Sequence, residues 1–161
     1  MRTRARALGH SIHPMLVVFP LGLLTTAVVF DAIHLGTGND TFSQVGFWNI
    51  TAGAVGAVLA AVFGVADWTA IPGGTRARTV GLRHGALNGI ALVLFVIAWL
   101  VRLDRPGHTL GAGLFVLELV AVAIAGVAAW FGGELVERHG VGVDAQAELD
   151  APSSLTTGRR P

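Results

Sequence analysis

Long apolar runs broken by short polar stretches dominate the chain. Met15–Phe30, Val45–Ala66, Gly85–Val101 and Leu110–Gly133 contain 16, 22, 17 and 24 residues. An α-helix of about 20 residues, rising about 1.5 Å per residue, crosses a hydrocarbon core of about 30 Å. The two shorter runs reach that length once their flanking turns are included. No ten-residue segment alternates apolar and polar positions, so the strands of an outer-membrane barrel are not expected. Short links between the runs make successive helices antiparallel. The pattern therefore predicts an all-α fold, an integral membrane up-down-up-down four-helix bundle. Its transmembrane domain covers 13–143, with spans at about 13–34, 45–68, 82–102 and 109–135. An Arg-rich tail, 1–12, precedes it. The polar tail 144–161, rich in Asp, Glu, Ser and Thr, is expected to be disordered.

Local signals refine the spans. Pro14 suits a first helical turn, where its missing N–H would have no partner. Pro20 should kink the first span by freeing the carbonyl of Leu16. Gly140 is placed to end the fourth. Gly53, Ala57, Ala60 and Gly64 follow one another at alternating four- and three-residue steps, and Ala121, Ala125, Ala128 and Gly132 keep the same rhythm. Small residues on one face let helices approach closely in lipid. Such a stripe is first of all a packing surface, although it would also leave room for a flat macrocycle.

Composition agrees with a small membrane domain: 161 residues, 53% of them hydrophobic, with mean hydropathy +0.66. The absence of Cys excludes disulfides, thiolate metal sites, Cys-held iron–sulfur clusters and covalent c-type haem. All 11 basic residues are Arg. They are spread over loops and tails rather than gathered in one stripe, so the pI near 9.1 does not argue for nucleic acid. Arg2, Arg4 and Arg6 resemble the start of a signal peptide, but Asp31 and His34 follow the first run without a small-x-small cleavage pattern. A retained first helix is expected.

Arginine and tryptophan give a direction. The N-terminal tail, the second loop (Arg76, Arg78, Arg83) and the C-terminal tail (Arg138, Arg159, Arg160) hold 9 arginines. The first loop, roughly Leu35–Gln44, has none and the third has 2, Arg102 and Arg105. The positive-inside rule then places both termini in the cytoplasm of a bacterial plasma membrane. Trp48, Trp68, Trp99 and Trp130 lie near the ends of spans, as headgroup-level indoles would.

This topology sorts the polar residues into two groups. The inner group is His10, His13, Asp67, His84, Asn88, Glu134 and His139. The outer group is Asp31, His34, Asn49 and His108, with Glu118 about 12 Å into the fourth span. His84 and Asn88 share a helical face, and His13, His84 and His139 bring three imidazoles from three helices to one depth. Imidazole is the commonest metal ligand and the usual axial ligand of b-type haem. Arg76, Arg78 and Arg83 could pair with haem propionates. Each histidine taken alone would be an ordinary interfacial side chain, and Glu134 with Arg138 an ordinary surface pair. Glu118 fits that bland reading least. A carboxyl group there should be protonated, or hydrogen-bonded toward Asp31, His34 or Asn49 on the first two spans, and it is a candidate for proton handling.

Several motifs are familiar. His13-Pro14 with Phe19-Pro20, Gly64 with Asp67-Trp68, and Arg83-His84 with Asn88 resemble the DUF2231 family of bacterial transmembrane proteins. So does the ending Gly132-Gly133-Glu134-Leu135-Val136 with Arg138-His139-Gly140-Val141-Gly142. The resemblance covers about 12–143 and implies a membrane protein with no assigned activity. Some relatives are joined to Rieske-type iron–sulfur domains, which implies membrane electron transfer with such a redox partner. His10, His34 and His108 lie outside the shared motifs.

The combined expectation is haem b, or alternatively a divalent metal ion, held by His13, His84 and His139. Asn88 and Asp67 would orient the rings, Arg83 would lie beside them, and Glu118 would stand apart. That describes an electron-transfer component rather than an enzyme. The competing reading is a non-catalytic membrane anchor or regulatory module for a partner chain. It draws on the lack of a nucleophile constellation or phosphate loop. Transport lacks the paired broken helices it would need.

Overall fold

The computed structural model describes residues 3–155; Arg2, Arg159, Arg160 and the rest of 156–161 lie outside the described residues. A short antiparallel pair, β1 (Arg6–Ala7) and β2 (His10–Ser11), precedes α1 (Ile12–Leu16) and α2 (Val18–Thr37). Then come α3 (Asp40–Thr69), α4 (Arg76–Leu103), a single 3-10 turn (Pro106–His108) and α5 (Ala112–Glu137). Four helical segments, Ile12–Thr37, α3, α4 and α5, are long and apolar enough to cross a membrane. The all-helical membrane bundle stands; the two-residue strand pair in the N-terminal tail is an addition to it.

The helix ends follow from the chain chemistry. The first helix breaks at Val17, beside the carbonyl that Pro20 leaves unpaired, and resumes with Leu21 N–H on the carbonyl of Val17 at 3.0 Å. Gly38 ends α2 in the left-handed region (φ 70°), its N–H on the carbonyl of His34. Asn39 then caps α3, its side-chain oxygen accepting from Thr41 N–H at 3.0 Å. The first connection is therefore much shorter than the polar stretch Leu35–Gln44 suggests. Thr75 caps α4 in the same way through Arg78 N–H, so Arg76, Arg78 and Arg83 belong to the helix rather than to a loop. Arg102 also lies inside α4. Gly140 (φ 60°) closes α5, its N–H on the carbonyl of Val136.

Helix α2 packs chiefly on α3 and α4 on α5, with α3 against α4 and α2 against α5 closing the bundle. Ala27, Val28, Ile50, Phe95 and Ala121 form the centre, with Leu24, Leu94, Trp99, Phe115 and Val122 against them. Trp99 Nε1 donates to the Thr51 hydroxyl at 2.8 Å. Trp48 and Trp130 are exposed as belt residues would be. Trp99 is turned inward, and Trp68 donates to the carbonyl of Arg78 beneath the guanidinium of that residue.

The two hairpins repeat one another. His13 stands as many residues before Asp31 as His84 stands before Arg102. Ala27 and Ala98, both fully buried, are as far apart in sequence as His13 and His84, and the small-residue stripes of α3 and α5 correspond position by position. This equivalence sets histidine beside histidine at the end carrying the termini. It sets Asp31 beside Arg102 at the far end.

Candidate functional site

At the termini end, His13 at the start of the first span and His84 in α4 approach with ring centres 6.3 Å apart and planes at 89°. Each ring reaches across to the helix beside it. His13 Nδ1 lies 2.8 Å from the carbonyl oxygen of Ala60 on α3. His84 Nδ1 lies 2.8 Å from that of Ala128 on α5. A carbonyl only accepts, so Nδ1 carries a proton in both rings, and the neutral form of each would hold its lone pair on Nε2.

The rings fit because the facing helices have no side chain there. A Cβ on Gly64 would come within 3.0 Å of His13 Cε1, and one on Gly132 within 3.0 Å of His84 Cε1. The small-residue stripes are thus packing surfaces for two imidazoles at one end. Further along α3, Gly53 makes room for Leu24.

The other members of the expected inner group divide. Asn88 Nδ2 donates to the carbonyl of His84 at 2.9 Å and lies 3.4 Å from both nitrogens of its ring. Asn88 is therefore in contact with the imidazole. Asp67 is buried, and its Oδ1 accepts from the backbone N–H groups of Arg4 (2.9 Å) and Ala5 (3.2 Å). It pins the N-terminal tail to the end of α3.

His139 and Arg83 line a groove of about 550 Å³ with Arg76, Thr79, Val80, Glu134 and Arg138. Arg78 is drawn away, its Nη1 donating to the carbonyl of Ile71 at 2.7 Å. Among the described residues, no three His, Cys, Asp or Glu side chains gather into a metal shell. The geometry thus brings two of the three expected imidazoles together and places His139 with the arginines.

The far end holds a site that the sequence reading did not assemble. Arg102, Asp31, Glu118 and Ser43 are all fully buried. Arg102 Nη1 and Nη2 donate to Asp31 Oδ2 (2.8 Å) and Oδ1 (3.0 Å), a two-pronged pair. Nη1 also donates to Glu118 Oε1 at 3.1 Å. Nη2 reaches the carbonyl and hydroxyl of Ser43, and Nε reaches the carbonyl of His108 at 3.0 Å. Gly46 makes room for the carboxylate, since a Cβ there would fall 2.6 Å from Asp31 Oδ1. The His108 ring stacks on Phe47 at 3.9 Å and its Nδ1 donates to the carbonyl of Arg102.

Glu118 therefore points into the bundle, as expected, but its partner is an arginine from the third span. Asn49 bonds Thr26, and His34 Nδ1 donates to the carbonyl of Asn39. A signal for Arg102 was present: it extends the buried series Ala91, Phe95, Ala98 at helical steps.

No curated protein and no solved structure matches this chain. One family does match, over residues 9–145, which take in both the histidine pair and the buried ion cluster, and it is described as predicted membrane protein (DUF2231). With most of its length matched, the chain belongs to that family.

Proposed function

We propose that the His13–His84 pair holds haem b or a divalent metal ion and that the protein passes single electrons within a bacterial plasma membrane. The observation that carries this reading is the pair itself. Both rings are fixed by a carbonyl at Nδ1, the arrangement that orients metal-binding histidines and directs Nε2 to the ligand. Metal–imidazole bonds are about 2 Å long, so two rings with centres about 6 Å apart could both bond one ion. The spacing of 6.3 Å suits that arrangement. When bound, haem b would supply a one-electron couple.

The chain's own residues position and shield the group. Gly64 and Gly132 admit the rings, and Asn88 restrains His84. Arg83 and Arg76, in the neighbouring groove, would meet acidic substituents of a macrocycle. In the metal version, His139 from that groove is the candidate third imidazole. A redox partner such as a Rieske-type iron–sulfur protein would exchange the electron. The arginine distribution supports cytoplasmic termini. Alkaline phosphatase fused after Gly38 should then be active and after Gly74 inactive; the opposite pattern would invert the orientation.

Absorption spectra of the detergent-purified chain, oxidised and reduced, together with elemental analysis, test the site. A Soret band that shifts on reduction, or a stoichiometric metal, should appear in the parent and be lost in His13→Ala and His84→Ala. A colourless, metal-free protein removes the reading and leaves a membrane anchor for a partner chain.

A further inference from the structure

We propose that the far-end cluster is a proton-binding site, in which Asp31 and Glu118 share one exchangeable proton beneath Arg102. The argument begins with charge. The cluster contains one guanidinium and two carboxyl groups, all fully buried, so with both carboxyls ionised it carries a net negative charge away from water. An uncompensated buried charge is among the most costly arrangements a protein can contain.

Hydrogen bonding points the same way. Arg102 commits Nε and both terminal nitrogens to Asp31, Glu118, Ser43 and His108, and a guanidinium has only five N–H groups. None remains for Glu118 Oε2, which receives no hydrogen bond from any described group. The two carboxyl groups meet at one nitrogen: Asp31 Oδ2 and Glu118 Oε1 stand 2.8 and 3.1 Å from the same Arg102 Nη1. A proton shared by the two carboxyl groups makes the cluster neutral in one step, and the unpartnered Oε2 shows that Arg102 alone does not satisfy Glu118.

The surroundings offer no other charge to do this. From α2, His34 is tied to the carbonyl of Asn39 and stands 3.6 Å from Asp40 at the start of α3. From α3 itself the cluster receives Ser43, whose hydroxyl donates to the carbonyl of His108 and accepts from Leu110 N–H. From α4 it receives Arg102. From the connection to α5, His108 holds the backbone carbonyl of Arg102, and Arg105 faces the carbonyl of Thr109. No second cation bonds either carboxyl group among the described residues. The site is independent of the histidine pair, which lies at the opposite end of the bundle.

Infrared spectroscopy of the full chain in detergent, without added haem or metal, reads the proton directly. At neutral pH the parent should show the carbonyl stretch of a protonated carboxylic acid, moving to lower frequency in D2O. Because one proton serves two groups, either Glu118→Gln or Asp31→Asn should abolish the band, each leaving one carboxylate against Arg102. No such band in the parent, which requires no variant to fold, overturns the proposal. A band persisting in either folded variant overturns it as well.

Discussion

At the end carrying the termini, two imidazoles each bond one main-chain carbonyl on the neighbouring helix, and glycines face them. At the far end a guanidinium gathers two carboxyl groups and a serine from three other helices. Both arrangements bury polar side chains between apolar helices, yet they differ in what removing one member leaves behind. A missing histidine leaves a carbonyl whose helix still surrounds it. A missing arginine leaves two fully buried carboxyl groups with no counter-ion. The far end should therefore hold the bundle together, while the termini end is free to exchange a ring contact for a ligand.

The sharpest test of that contrast is Arg102→Leu, which should cost about 3–5 kcal/mol of stability, read as a lowered unfolding midpoint in detergent. A shift no larger than that of either histidine variant would break the comparison. Next comes Gly46→Ala. Its methyl group would overlap the Asp31 carboxylate, since the added carbon falls 2.6 Å from Oδ1, and forcing it in should cost about 1–3 kcal/mol. The same substitution at Gly85, where nothing lies within 4 Å, should leave the midpoint unchanged or raised.

His13→Ala and His84→Ala should each cost about 0.5–1.5 kcal/mol, the worth of one hydrogen bond. Their equivalent settings predict similar losses, so a large inequality in unfolding midpoints would show that the two hairpins are not energetically alike. The smallest effect expected is that of Trp99→Phe. It removes the bond to Thr51 and should cost about 0.6 kcal/mol, the average for such bonds between membrane helices. Thr51→Val should cost the same, and combining the two should add little.

The spans were legible because lipid imposes a length and a composition that the apolar runs meet without any packing detail. Helix ends were less so. Asn39 and Thr75 extend α3 and α4 well into stretches that read as polar loops, since a cap and a left-handed glycine can turn the chain within two residues. Of the inner site, the meeting of His13 with His84 followed from depth alone. The division between that pair and His139 did not, because depth says nothing about which way a helix face is turned.

Arg102 is the instructive miss. Counting arginines for orientation treats each as a loop residue, whereas this one lies on the buried face of α4 and finds its partners on α2 and α5. Its removal from the loop count leaves Arg105 as the one arginine of the third connection, which strengthens the charge asymmetry between the two ends. In the sequence Asp31 is one of three candidate partners of Glu118, while Arg102 reads as a loop arginine with Arg105. The shared depth of Asp31, Glu118 and Arg102 became meaningful only once the helices were packed.

The correspondence between the hairpins has a consequence for how copies of this protein can associate. If the first hairpin were to pair with the first hairpin of another molecule, Asp31 would meet Asp31; two second hairpins would oppose Arg102 with Arg102. Like charges held away from water repel, so a seam of one hairpin of each kind is favoured over a seam of two alike. Exchange of hairpins between molecules could therefore rebuild the same four-helix unit in preference to a different one. An identical pair of hairpins could never have achieved this, because their seam would necessarily carry the same residue on both sides. One unlike pair, Asp31 with Arg102, turns a nearly symmetric scaffold into one with a fixed left and right.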